Sequence, residues 1–179
     1  MTVEEFLATS EEDPRRMELI DGEIVVTPEP RYRHAHLQIQ LSYAVESWRR
    51  GMPGSASVAG PTTVRLGDHD AYAPDLVVCR RRPQVDDRGR LDELPLTCVE
   101  IRSPTTWRYD IGRKKSVYES QGVPELWLVD GFTDVMLVFR RSGPKVDYYD
   151  VALELGVSDT LTSPLLPGFA LPLAELFEP

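Results

Sequence analysis

The spacing of apolar positions divides this chain into helix-like and strand-like stretches. Residues 2–8 read as a short opening helix, with Thr2 as its cap and Glu5 three residues on, the pattern of a capping box. In Glu18-Leu-Ile-Asp-Gly-Glu-Ile-Val-Val26, two apolar-rich runs flank Asp21-Gly22, a pair suited to positive φ, so a β-hairpin is expected. Thr27-Pro-Glu-Pro30 ends it. From His34 to Arg50, the residues Leu37, Leu41, Ala44, Val45 and Trp48 recur at helical spacing and define an amphipathic helix. Gly51-Met-Pro-Gly54 stops it.

Ser57 to Leu66 reads as a strand interrupted at Gly60-Pro61, and Gly67 to Asp70 as a turn. Two apolar runs follow, Asp75 to Cys79 and Leu96 to Ile101, both expected to be buried strands. Between them lies a polar loop, residues 80–95, carrying Arg80, Arg81, Arg82, Arg88 and Arg90. Asp110 can cap a helix running to Gln121, with Gly122 at its stop and Pro124 beyond. Glu125 to Asp130 and Val135 to Phe139 predict strands around a turn, and residues 145–153 an edge strand. The tail, with Pro164, Pro167 and Pro172, is expected to be extended until a last turn at Leu173 to Phe177. This order predicts a single domain over 1–179 of α/β (α+β) class, a mixed central sheet flanked by helices.

Composition narrows the setting. No run of eighteen or more apolar residues is present, so no membrane helix is expected. The N-terminus lacks the basic and apolar regions of a signal peptide, which makes the cytoplasm the default. Cys79 and Cys98 sit inside the two apolar runs and read as reduced, buried thiols. A net charge of −9 opposes binding of nucleic acid by bulk electrostatics. Yet the acidity is terminal: residues 1–30 carry −7 and residues 146–179 carry −6, while residues 31–145 carry +4.

That mildly basic middle holds the candidate chemistry. Asp75 and Glu100 each abut a strongly apolar strand, where an acid is either solvated at the strand end or buried with a partner. Lys114 lies four residues after Asp110 and four before Tyr118, so the three share a helix face. Two acids and a lysine are the groups needed to cut a phosphodiester. A hard cation such as Mg²⁺ takes one or two carboxylates with water and substrate oxygens, and the ammonium neutralises charge growing on the phosphorus. For each residue alone, a solvated acid or a surface Asp–Lys pair is the plainer reading; their ordered succession shifts the balance to function. No phosphate loop, dinucleotide fingerprint, zinc spacing or nucleophile elbow is present.

These residues carry a resemblance. Pro74-Asp75, then Val99-Glu100-Ile101-Arg102-Ser103-Pro104, then Asp110, Lys114, Tyr118, Gly122-Val123-Pro124-Glu125, Trp127 and Val129-Asp130 fall in an order similar to the Uma-type restriction endonuclease family. Glu18-Leu-Ile-Asp-Gly-Glu23 and the endings Leu165-Leu-Pro-Gly-Phe169 and Leu173-Ala-Glu-Leu-Phe177 resemble it too, so the likeness spans nearly the whole chain. The family belongs to the PD-(D/E)XK nuclease superfamily. The resemblance implies a restriction-endonuclease-like fold, DNA as substrate, Mg²⁺ or Mn²⁺ as cofactor, and Asp75 and Glu100 as metal ligands with a lysine as third catalytic group. Arg102 stands where the simplest superfamily pattern has a lysine, so Lys114, on the following helix, takes that part. Either Glu23 or Glu18 completes the metal site, with Glu23 favoured because it follows the hairpin turn. Arg102, His34 and Tyr118 are candidate substrate-binding or orienting residues. Many enzymes of this fold act as homodimers. The alternative reading is a nuclease-fold module that binds nucleic acid or protein and cleaves little or nothing.

Overall fold

The computed structural model describes residues 1–10, 13, 15–52, 54–87, 89–103 and 110–178, the side chains of Asp110 and Ile111 excepted, and among these residues forms twelve strands, four α-helices and one π-helical turn. Pro53, Arg88, Pro104 and any capping by the Asp110 side chain lie outside the described residues. In chain order the first half comprises α1 (Val3–Ser10), β1 (Met17–Ile20), β2 (Glu23–Val26), α2 (Tyr32–Gly51), β3 (Ala56–Ala59), β4 (Val64–Arg65), β5 (Ala71–Tyr72), β6 (Leu76–Arg80) and β7 (Thr97–Ile101). A π-helical turn, Asp110–Lys114, then runs into α3 (Lys115–Gln121). β8 (Glu125–Asp130), β9 (Val135–Arg140), β10 (Val151–Leu155), β11 (Thr160–Thr162), β12 (Ala170–Pro172) and α4 (Leu173–Phe177) complete the chain.

The central sheet has the order β10-β9-β8-β7-β6-β3. Only β7 and β8 run parallel within it, and a parallel pair needs a crossover, which the π turn and α3 supply. Side chains alternate across this sheet. Val99, Ile101, Trp127 and Val129 pack with Leu37, Leu41 and Val45 of α2 and with the C-terminal Leu161, Phe169 and Leu176. Cys98, Leu126 and Leu128 face the other way, toward Tyr118 of α3 and Tyr72. Each fully buried leucine or valine contributes roughly 1.5–3 kcal/mol by leaving water. Cys79 and Cys98 lie in that second layer as free thiols.

A smaller sheet, β2-β1-β5-β4, stands beside the first. Its hairpin turns at Asp21 and Gly22, with φ of 55° and 76°, as the Asp-Gly pair predicts. The interrupted strand of residues 57–66 proves to be two: β3 joins the large sheet and β4 the small one, the break falling at Gly60-Pro61 where proline cannot extend a ladder. The edge strand lies at Val151–Leu155, later than expected, and the proline-bearing tail pairs with itself as β11–β12. Gly131, in the β8–β9 turn, sits so close to α2 that a Cβ there would lie 2.5 Å from Leu37 Cδ1. The missing Cβ lets the turn lie close against the start of the helix.

Candidate active site

Asp75 enters the site just ahead of β6, where its N–H donates to Val99 O at 2.9 Å. This bond sets it against β7, one residue from Glu100. Its Oδ2 accepts the Ile101 N–H at 2.8 Å, and its Oδ1 accepts from Arg16 Nη2 at 3.1 Å. His34 Nε2 lies 3.1 Å from the same oxygen, and Gln38, one turn further along α2, donates to the Asp75 carbonyl at 2.8 Å. Burial pushes the Asp75 carboxyl up. The hydrogen bond and charge of His34, the Arg16 guanidinium and the Ile101 N–H outweigh it, so the group titrates below the usual carboxylate range. An ionised carboxylate only accepts, so His34 Nε2 carries the proton on this bond.

Glu100 projects from β7 into the layer under α3. Its Oε1 accepts the Tyr118 hydroxyl at 2.7 Å and the Lys114 ammonium at 3.1 Å. Burial, then the adjacent Glu100 charge, hold the Tyr118 phenol far above its ordinary value, so it serves as a neutral donor. Lys114 closes the π-helical turn, an irregularity common at functional sites. Its Nζ also donates to Glu18 Oε1 at 2.9 Å and lies 5.5 Å from the centre of the Tyr72 ring. Glu18, on β1, accepts in addition the Ala73 N–H at 2.8 Å, next to Asp75 in the chain but one. The side chains of Asp75, Glu100, Glu18 and Lys114 are each no more than 5% exposed.

These four groups line one cavity of about 250 Å³. The Thr27–Arg31 segment, the start of α2, Arg102 and Phe132 also line it. Asp75, Glu100, Lys114, Tyr118 and His34, read from sequence, thus converge. Glu23 does not: it is exposed on β2 and outside the cavity lining, and the carboxylate that the hairpin contributes is Glu18. Arg102 lines the cavity but is anchored to Asp130 at 2.5 Å. Arg16, which binds both Asp75 and the Ala73 carbonyl (2.6 Å), carried no signal in the sequence beyond its position before the hairpin.

Among the described residues, no group of three or more His, Cys, Asp or Glu is arranged to hold a metal ion. The donors present are nonetheless of the right kind for Mg²⁺ or Mn²⁺. Asp75 and Glu100 are hard oxygen ligands facing a common space, and Mg²⁺ typically takes one or two carboxylates and keeps several waters.

The fold is a mixed sheet flanked by helices, with Asp75 just ahead of β6, Glu100 on β7 and Lys114 on the crossover from β7 to β8. The chain shares that fold with the crystal structure of a "putative nuclease belonging to DUF820" from Anabaena variabilis ATCC 29413, at a TM-score of 0.81 and 21% identity, over 99% of this chain and 97% of that one. The model of the Uma2 family, described as "Putative restriction endonuclease", matches residues 3–174, and the chain belongs to that family. No curated protein matches it.

Proposed function

We propose that this protein is a metal-dependent endonuclease of the PD-(D/E)XK type that hydrolyses DNA phosphodiester bonds. The observation that carries the reading is the convergence of Asp75, Glu100 and Lys114, from three separate elements, on one cavity with their charged ends buried. Burying charge is costly unless the groups are paired, and such investment in a cavity marks a working site.

Asp75 and Glu100 would hold Mg²⁺ or Mn²⁺, with Glu18 in place of Glu23 as the third carboxylate nearby. The ion, when bound, supplies a Lewis acid for the scissile phosphate and lowers the pKa of the attacking water. Lys114, held between Glu18 and Glu100, presents a fixed positive charge where negative charge grows at phosphorus. Tyr118 orients Glu100, and Arg16 and His34 orient Asp75, so neither acid reorganises during the reaction. Taken as ionised, three carboxylates against Lys114 and Arg16 leave the cluster with one net negative charge. A divalent cation reverses that sign, and the site then suits an anionic phosphate.

Calorimetric titration tests the metal half of this reading. Wild-type protein is expected to bind Mn²⁺, with binding lost in Asp75→Ala and Glu100→Ala. Absence of binding in the wild type would favour the module that keeps the fold without cleaving.

A further inference from the structure

Phe132 is the one large apolar side chain on the cavity lining that is mostly exposed, at 62%, among the described residues. Single exposed aromatics are ordinary on protein surfaces. This one has a cation against its ring and a backbone tied at two points. The Arg102 guanidinium carbon lies 5.1 Å from the centre of its ring. Asp130 fixes both partners, accepting Arg102 Nη1 on Oδ2 at 2.5 Å and the Phe132 N–H on Oδ1 at 2.9 Å. Gly131 presses the same turn onto Leu37, with no room for a Cβ. The result is an exposed aromatic ring backed by a planar cation, on the lining of the cavity that contains Asp75 and Glu100.

We infer that Phe132 and Arg102 form a stacking platform for an unpaired nucleobase next to the scissile phosphate, and that the preferred substrate is single-stranded DNA. A base in a duplex offers its face only to its neighbours in the stack, whereas an unpaired base can lie on an exposed ring. The overall charge of −9 opposes gripping a duplex by bulk electrostatics, so local contacts at the cavity must supply affinity. Arg31 lines the same cavity as His34, whose buried Nδ1 has no hydrogen-bond partner among the described residues, and Arg33 lines it while paired with Asp134. The inference rests on the nuclease reading of the cavity and adds the state of the strand that enters it.

The test is binding of a short DNA oligonucleotide carrying 2-aminopurine, followed by fluorescence, as a single strand and as a duplex, with Ca²⁺ present to hold back cleavage. Wild-type protein is expected to quench the single-stranded probe and to bind it more tightly than the duplex. Phe132→Ala is expected to weaken single-strand binding about tenfold, the loss of one stacked base, and Phe132→Trp to restore it. Equal affinity of Phe132→Ala and wild type for the single strand, tighter binding of the duplex, or no binding of either probe would overturn the inference. The two readings fail separately. A wild-type protein that binds through Phe132 but never cleaves with Mn²⁺ contradicts the nuclease alone. A protein that cleaves equally well with Phe132→Ala contradicts the platform alone.

Discussion

Lys114 Nζ and Glu18 Oε1 lie 2.9 Å apart although 96 residues separate them, and both side chains are at most 4% exposed. This pair joins the N-terminal hairpin to the crossover between β7 and β8. It places a positive charge beside Glu100 on β7. Lys114 is thus both a buried cation in the cavity and a tie between the two sheets.

Removing that cation leaves two buried carboxylates without their shared partner. Lys114→Ala is therefore expected to lower stability by about 3–5 kcal/mol, the range for breaking a buried ion pair, and to abolish cleavage. Urea denaturation monitored by circular dichroism measures the first effect. A stability change within about 0.5 kcal/mol, typical of an exposed site, would contradict the pairing.

The hairpin distinguishes two glutamates that look alike in sequence. Glu18 faces the cavity and Glu23 faces solvent. Glu18→Gln is expected to reduce the cleavage rate by about 10- to 100-fold, the usual effect of disturbing a group that supports metal ligands. Glu23→Gln is expected to leave the rate unchanged. Steady-state rates with Mn²⁺ for the two variants decide it, and the reverse order would return the role to Glu23.

Glu125 gives a pH signature away from the site. It is fully buried, and its carboxylate accepts Trp127 Nε1–H and the Ser163 hydroxyl, both at 2.7 Å. Burial dominates these bonds and raises the carboxyl above its ordinary 4.5. The folded state then binds this proton more tightly than the unfolded state. Its contribution is most favourable below the unfolded pKa and is lost as pH rises through the folded one. Glu125→Gln keeps an acceptor for Trp127 and an N–H for Ser163 without the charge. Its stability relative to wild type is expected to rise across that window and level off above it. Denaturation midpoints at a series of pH values would show this, and a flat difference would refute the raised pKa.

Gly131 tests the packing that positions the rim. Gly131→Ala puts a methyl 2.5 Å from Leu37 Cδ1, so the buried Leu37 side chain, α2 or the turn must shift. A loss of about 1–3 kcal/mol, as for other overpacked sites, is expected in thermal or chemical denaturation. An unchanged stability would mean the turn does not press on the helix.

Much of this arrangement was legible in residue order. Leu37, Leu41 and Val45 marked the face of α2 that meets the sheet, and the apolar runs marked β6, β7, β8 and β9 with Asp75 and Glu100 at their ends. Other parts left no local trace. All four residues of β1 are buried, so polar alternation could not show that Glu18 points inward. A π turn winds more residues into the turn than an α-helix does, so the register that aims Lys114 could not be read from α-helical spacing. Strands β4 and β5 are two residues each, too short for any period to appear, and the prolines of the tail masked the β11–β12 pairing. Arg16 reaches Asp75 only through tertiary contact.

The most direct test of the central claim is cleavage of supercoiled plasmid and single-stranded DNA by the purified protein with Mn²⁺. EDTA and Asp75→Ala serve as controls. The account predicts cleavage that requires the metal and disappears in the mutant while its circular dichroism is unchanged. Cleavage that persists undiminished in Asp75→Ala, or a metal-loaded wild type that cuts neither DNA, would contradict it.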